Sequence, residues 1–164
     1  MKCHSSRVQI VLAAIAILGV STPVAATHPV PFQGALIGSY TVTPASPPFL
    51  DVLLTATGSA TQLGRFTAVF PSRVDLSTVP TTAAGTYTFT AANGDTFWAD
   101  SIGQAMRVAP NLLHIVDNAM IRGGTGRFAG VRGEFVIERL ANQLTLTTIG
   151  AFRGTISSVG ANKH

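Results

Sequence analysis

The sequence predicts an all-β protein, an eight-stranded antiparallel barrel of the calycin kind, with a β-sandwich as the alternative. Three observations lead there. Threonine, valine and phenylalanine dominate segments bounded by turn residues that recur every ten residues or so, the rhythm of short strands. Several of these segments alternate apolar and polar residues with period two, as half-buried strands do. Helix signals are scarce, and the one cysteine is Cys3, so no disulfide staples the remainder. Closing the sheet removes exposed strand edges, which favours the barrel over the sandwich.

The chain begins with a different kind of segment. Lys2 and Arg7 precede an uncharged run from Val8 to Val20, 13 residues long; Ser21, Thr22 and Pro23 break it, and small residues follow at Val24, Ala25 and Ala26. This order is that of a secretory signal peptide, and the run is short of the ~20 residues a membrane span needs. Residues 1–26 are therefore expected to be removed, leaving Thr27 first and no cysteine. Without Lys2 and Arg7, nine basic residues face seven acidic ones, so the formal charge falls from +4 to +2. The expected destination is secreted or periplasmic, with no membrane span in the remaining chain.

The expected organisation is an extended lead-in at 27–33, a barrel domain at 34–158 and a tail at 159–164. In the first strand Leu36, Gly38, Tyr40 and Val42 share one face, and Pro44, Pro47 and Pro48 end it. The second covers Leu50 to Thr57. The third runs from Arg65 to Phe70, with Phe66, Ala68 and Phe70 on one face; Pro71 marks an end or an edge. Leu76 to Ala84 reads as loop. Thr86 to Ala91 alternates Tyr87 and Phe89 with threonines, and Asn93-Gly94 leads into Thr96 to Ile102. That dipeptide is the strongest hairpin signal in the chain, because both residues accept positive φ. Leu112 to Ile121, Gly133 to Leu140 and Leu144 to Ser157 complete the eight, the last with a possible bend at Gly150.

Candidate chemistry is sparse. His114 and Asp117 are three apart in an apolar strand and so face opposite sides. Asp117 shares its face with Leu113, Ile115 and Ile121, which places a carboxylate in the interior, where it needs a partner such as Arg139 or Arg153. Glu134 and Glu138 lie opposite Phe135 and Ile137, on a face that reads as solvated. No G-x-S-x-G nucleophile motif is present. His28, His114 and His164 have no metal-ligand spacing, so no metal and no cofactor are expected. Arg122, Arg127, Arg132 and Arg139 make a mildly basic stretch, without the charge or the stacking aromatics that nucleic acid calls for. Trp98 alternates with Phe97 and suits the core or rim as well as a ligand platform.

The glycines at 123, 124 and 126 read as a structural device that lets Phe128 tuck under the barrel rim as a plug. The rival, a phosphate cradle, requires a helix after the glycine loop, and a strand follows instead. Leu63-Gly64-Arg65-Phe66 and Thr125-Gly126-Arg127-Phe128 also share a Gly-Arg-Phe triplet.

Four stretches together carry a resemblance: Ala60-Thr61-Gln62-Leu63-Gly64-Arg65-Phe66, Ala91-Ala92-Asn93-Gly94-Asp95, the run from Ile121 to Gly130 with Gly133-Glu134-Phe135, and Gly150-Ala151-Phe152-Arg153-Gly154-Thr155-Ile156-Ser157. In these the chain resembles small secreted bacterial proteins related to the allene oxide cyclase barrel. The resemblance spans about Gly34 to Ser158 and implies an eight-stranded antiparallel barrel. It implies little chemistry, and no active-site residue of the plant cyclases is matched. Gln62 stands where the family's first motif often has histidine before Leu-Gly.

The leading functional expectation is a non-catalytic binding or structural module for a small apolar ligand, with Phe66, Phe70, Tyr87, Phe89, Asp117 and Phe135 as cavity lining. The alternative is a cyclase or isomerase acting on a lipid-derived substrate, which rests on fold analogy. A third expectation is a subunit that assembles through an exposed barrel face. A hollow interior with convergent polar groups would favour the enzyme, and a solid one the structural role.

Overall fold

A computed structural model describes residues 28–157. It is a closed barrel of eight antiparallel strands in simple up-and-down order, each paired with the next and β8 with β1. The strands are β1 Pro29–Pro44, β2 Phe49–Ala60, β3 Gly64–Asp75, β4 Thr81–Ala91, β5 Thr96–Ala109, β6 Leu112–Gly124, β7 Gly133–Asn142 and β8 Thr147–Ser157, with a 3₁₀ turn, η1, at Gly126–Phe128. The sandwich alternative is set aside, and the expected signal peptide and tail lie outside the described residues.

The strands are longer than the sequence suggested, for identifiable reasons. β1 starts at Pro29 rather than after a lead-in to 33. Pro29 and Pro31 pair with Ser157 and Thr155 of β8, while the β2 ladder begins only at Gly34. The odd-numbered residues turn their backbone groups to the β2 side, where Thr61 bonds the Pro31 and Gln33 carbonyls. The missing proline N–H groups therefore leave no ladder bond unmade. β3 continues through Pro71 because its β2 ladder is unbroken there, whereas pairing with β4 passes from Val69 to Ser72 without residues 70 and 71. Residues 81–84, expected as loop, join β4 through pairs such as Thr81 with Ala105.

Two turns differ in detail from their sequence reading. The hairpin at Asn93-Gly94 is present, with Gly94 at φ +88° and Asn93 outside the positive region. The loop runs from 92 to 95, and the Gly94 N–H closes a four-residue turn on the Ala91 carbonyl. Residues 144–146 are a turn ahead of β8, in which Asn142 Oδ1 accepts from the Leu144 and Thr145 N–H groups.

One end of the barrel is solid. Phe32, Phe66, Phe89, Phe97, Phe135 and Phe152 are buried and contact one another as rings. Phe128, carried by η1, reaches Phe97 with ring centroids 5.5 Å apart and closes this end, as the plug reading expected. Of the three glycines before it, only Gly126 has positive φ, at +54°. Gly123 and Gly124 serve close approach instead: a Cβ on them would meet the Trp98 ring at 2.8 Å and Phe128 Cβ at 2.6 Å. The two Gly-Arg-Phe segments meet here, since Arg127 Nη2 donates to the Leu63 carbonyl at 2.9 Å.

Candidate functional site: a cavity over a buried ion pair

The other end of the barrel is hollow. Where β1–β2, β3–β4, β5–β6 and β7–β8 connect, the inward positions hold valines, alanines and serine in place of phenylalanines. A cavity of about 290 Å³ results. Val42, Leu50, Val52, Val74, Leu113 and Ile115 supply much of its apolar wall, and Tyr40, Ser72, Arg107, Arg139 and Gln143 add polar groups.

Between the hollow and solid halves lies a polar layer. Asp117 on β6 is fully buried, and Arg139 on β7 is 8% exposed. Arg139 Nε donates to Asp117 Oδ2 at 3.0 Å, and the Tyr87 hydroxyl donates to the same oxygen at 2.8 Å. The register explains the meeting. Asp117 pairs with Ile137 and Arg139 with Ile115, so the two charges are diagonal neighbours on one face of adjacent strands. Gly103, the partner of Asp117 on β5, leaves room for the carboxylate, since a Cβ there would run into Asp117 Oδ1. Gly150 plays the same part for Arg139, since a Cβ on it would lie 2.6 Å from Arg139 Cβ. Of the two arginines expected near Asp117, Arg139 is the partner; Arg153 lies outside and pairs with Glu138 at 3.2 Å.

The electrostatics follow from burial. Desolvation raises the Tyr87 phenol well above its ordinary pKa, the Asp117 charge adds to this, and Arg139 acts against it. Burial works against the Arg139 charge, but Tyr87 and Asp117 outweigh it and hold its pKa above the ordinary value. Tyr40 is raised by burial, with Arg139 acting against that; its hydroxyl donates to the Asn142 carbonyl at 3.0 Å. Asp117 Oδ1 and Ser101 Oγ are buried without a hydrogen-bond partner.

The residues expected to line a cavity fall elsewhere in the interior. Phe66, Phe89 and Phe135 belong to the solid half, and Phe70 stacks face to face on Tyr87 with centroids 3.8 Å apart. Tyr87 and Asp117 lie in the polar layer beneath the cavity. The wall is formed by other inward positions, all smaller or nearer the open end. Tyr40 and Val42 were legible as inward from the period of β1. Val52, Val74 and Arg107 carried no comparable signal, because nothing local marks which inward positions stop meeting a partner across the barrel.

The remaining candidates are dispersed. His114 is half-buried, Glu134 is exposed on the outer face, and Trp98 sits partly exposed over Gly123. Arg122 pairs with Asp100 at 2.8 Å, and Arg132 donates to the Val131 carbonyl. Among the described residues no group of three or more His, Cys, Asp or Glu is placed to hold a metal ion. No helix among them is long and apolar enough to cross a membrane.

Comparison with known proteins agrees on the fold. The solved structure of a pterocarpan synthase dirigent protein is similar, with a TM-score of 0.54 at 12% identity over 79% of this chain and 89% of that one. No protein-family model matches the sequence, and no curated protein does. At such identity the likeness defines the class, an eight-stranded antiparallel barrel, and leaves the chemistry to the site itself.

Proposed function

We propose that the protein is a small-molecule-binding barrel whose ligand occupies the open-end cavity. The observation that supports this reading is the cavity itself, about 290 Å³ with a mainly aliphatic wall over one anchored charged group. Binding sites of small ligands have this make-up, apolar enclosure with a few placed polar groups. The volume lies at the lower end for such sites, so the ligand is compact. The reading places the ligand over Arg139, away from the phenylalanine-filled end.

The test is calorimetric titration of the purified protein with a panel of compact apolar compounds, including short fatty-acid and monoterpenoid probes. One-site binding is expected, and Ala83→Phe, which fills the cavity, is expected to abolish it with the circular dichroism spectrum unchanged. Absence of saturable binding across the panel by folded protein would reject the reading.

A cyclase or isomerase is the second reading. It is favoured by the convergence of Tyr87, Asp117 and Arg139 below the cavity and by the neighbouring fold, whose described member is a pterocarpan synthase. Turnover of a bound probe, lost in Arg139→Met, would move the assignment to this class. Export, a bacterial source and processing after Ala26 belong to the same proposal, and mass spectrometry of exported protein is expected to find Thr27 first. Self-association is supported by Ile37 and Ile149, which pair on the outside of β1 and β8 at 61% and 60% exposure. Sedimentation analysis with Ile37→Lys tests it.

A further inference from the structure

The cavity has a sign. Its lining includes two arginines, Arg107 and Arg139, and no aspartate or glutamate. The nearest acid in the interior, Asp117, is not part of the wall; it lies on the far side of Arg139, holding Nε. A guanidinium has five N–H donors in a planar fork, and the Asp117 bond engages the Nε edge. The Tyr87 hydroxyl also lies against the guanidinium. Arg139 lines the cavity, so the N–H groups that neither residue takes are open to a ligand acceptor, and the acceptor that suits a planar fork best is a carboxylate.

Arg139 is also held in place before any ligand arrives. Gly150 gives its stem room, Asp117 fixes its Nε, and Tyr87 fixes Asp117 by donating to the same carboxylate oxygen. The phenol stacks flat on Phe70, which keeps that side chain from moving. A group fixed in this way meets a ligand with little ordering cost. It is buried away from water, so a charge-assisted bond there is stronger than one at the surface.

We propose that Arg139 anchors a carboxylate, and that the ligand is a compact amphipathic acid bound head-down, its apolar body against Val52, Val74, Leu113 and Ile115. This rests on the reading of the cavity as a ligand site and adds the chemical class and orientation of the occupant. A volume of about 290 Å³ is roughly ten waters at ~30 Å³ each, which suits an acid of about ten non-hydrogen atoms, such as octanoate or 3-phenylpropanoate. An amine of the same shape meets two like charges and no carboxylate in the wall.

The experiment compares octanoate, methyl octanoate and octylamine by calorimetry at neutral pH. The acid is expected to bind about tenfold or more tightly than the ester, and the amine least. Replacing the ion pair as a unit, Asp117→Leu with Arg139→Met, avoids leaving a lone buried charge; it is expected to erase the acid's advantage and retain the ester. A third measurement needs no variant: acid affinity is expected to drop to the ester's as pH falls below the carboxylate range of about 4.

Ester binding as tight as the acid's would overturn the anchor and leave the apolar cavity reading intact. Acid preference that survives the double substitution, or that vanishes in Arg107→Met, would overturn the head-down orientation. Failure of all three probes to bind folded protein would remove the cavity reading and this inference together.

Discussion

The two halves of the barrel interior are built from the same eight strands and differ in what their inward positions hold. At the closed end, β1, β3, β4, β5, β7 and β8 each send a phenylalanine inward, and Phe128 and Leu63 come in from turns to cap the stack. At the open end β1, β3, β4, β5 and β7 send Val42, Val74, Ala83, Ala105 and Ala141, which stop short of one another. An eight-stranded barrel is just wide enough for side chains to fill, so large residues make a core and small ones leave a cavity. The ion pair of Asp117 and Arg139 sits at the boundary. The lesson is that the packed core and the cavity are divided along the barrel axis, so stability and the proposed binding are separately breakable.

The largest expected effect is in the solid half. Phe89 contacts the rings of Phe66, Tyr87, Phe97, Phe135 and Phe152. Phe89→Ala is expected to cost about 3–5 kcal/mol in urea unfolding. Val52→Ala, on the cavity wall, already lacks neighbours on one side and is expected to cost under about 1.5 kcal/mol while altering ligand affinity. Equal losses at the two positions would mean that the hollow half carries as much packing as the solid one.

The boundary layer comes next. Asp117→Ala leaves Arg139 buried without its partner, with an expected loss of about 3–5 kcal/mol, most of it recovered when Arg139→Met accompanies Asp117→Leu. A double variant no better than the single one would show that the pair adds net stability of its own.

Gly126→Val tests the plug. Gly126 has φ +54°, and a Cβ there would run into the Asp95 carboxylate. The expected cost is about 1–3 kcal/mol, read as a lower melting temperature, and an unchanged one would show that the closed end tolerates the strain.

The alkaline limb is a smaller effect. Tyr87 has its pKa raised in the folded state, by burial first, so the neutral phenol is the form that folding favours. Its contribution is whole below the ordinary tyrosine value near 10 and is lost as pH rises above it, by up to about 1.4 kcal/mol per pH unit. Tyr87→Phe is expected to flatten this slope in urea unfolding, leaving the part due to Tyr40. Least of all is the outer surface: Glu138→Ala removes an exposed pair with Arg153, and its expected cost is below about 1 kcal/mol.

Local pattern determined a good deal of this protein. Period two in Leu36 to Val42 and in Thr86 to Ala91 marks strands and their inward faces, because a pleated chain must turn alternate side chains to the core. The same rule put Asp117 inside and Glu134 and Glu138 outside, and an unpaired buried carboxylate is costly enough that an arginine neighbour was expected. The Asn93-Gly94 hairpin and the tucked Phe128 were legible from turn chemistry. Tertiary structure alone decided the rest. Pro31 and Pro71 stay within strands because the neighbour facing their missing N–H is absent or interrupted at that point, which no local signal reports. Arg139 was selected over Arg153 by strand register. The cavity wall was decided across the barrel: whether an inward residue is packed depends on the reach of side chains on strands far away in sequence, so Phe66, Phe70, Phe89 and Phe135 fill space while Val52 and Val74 enclose it.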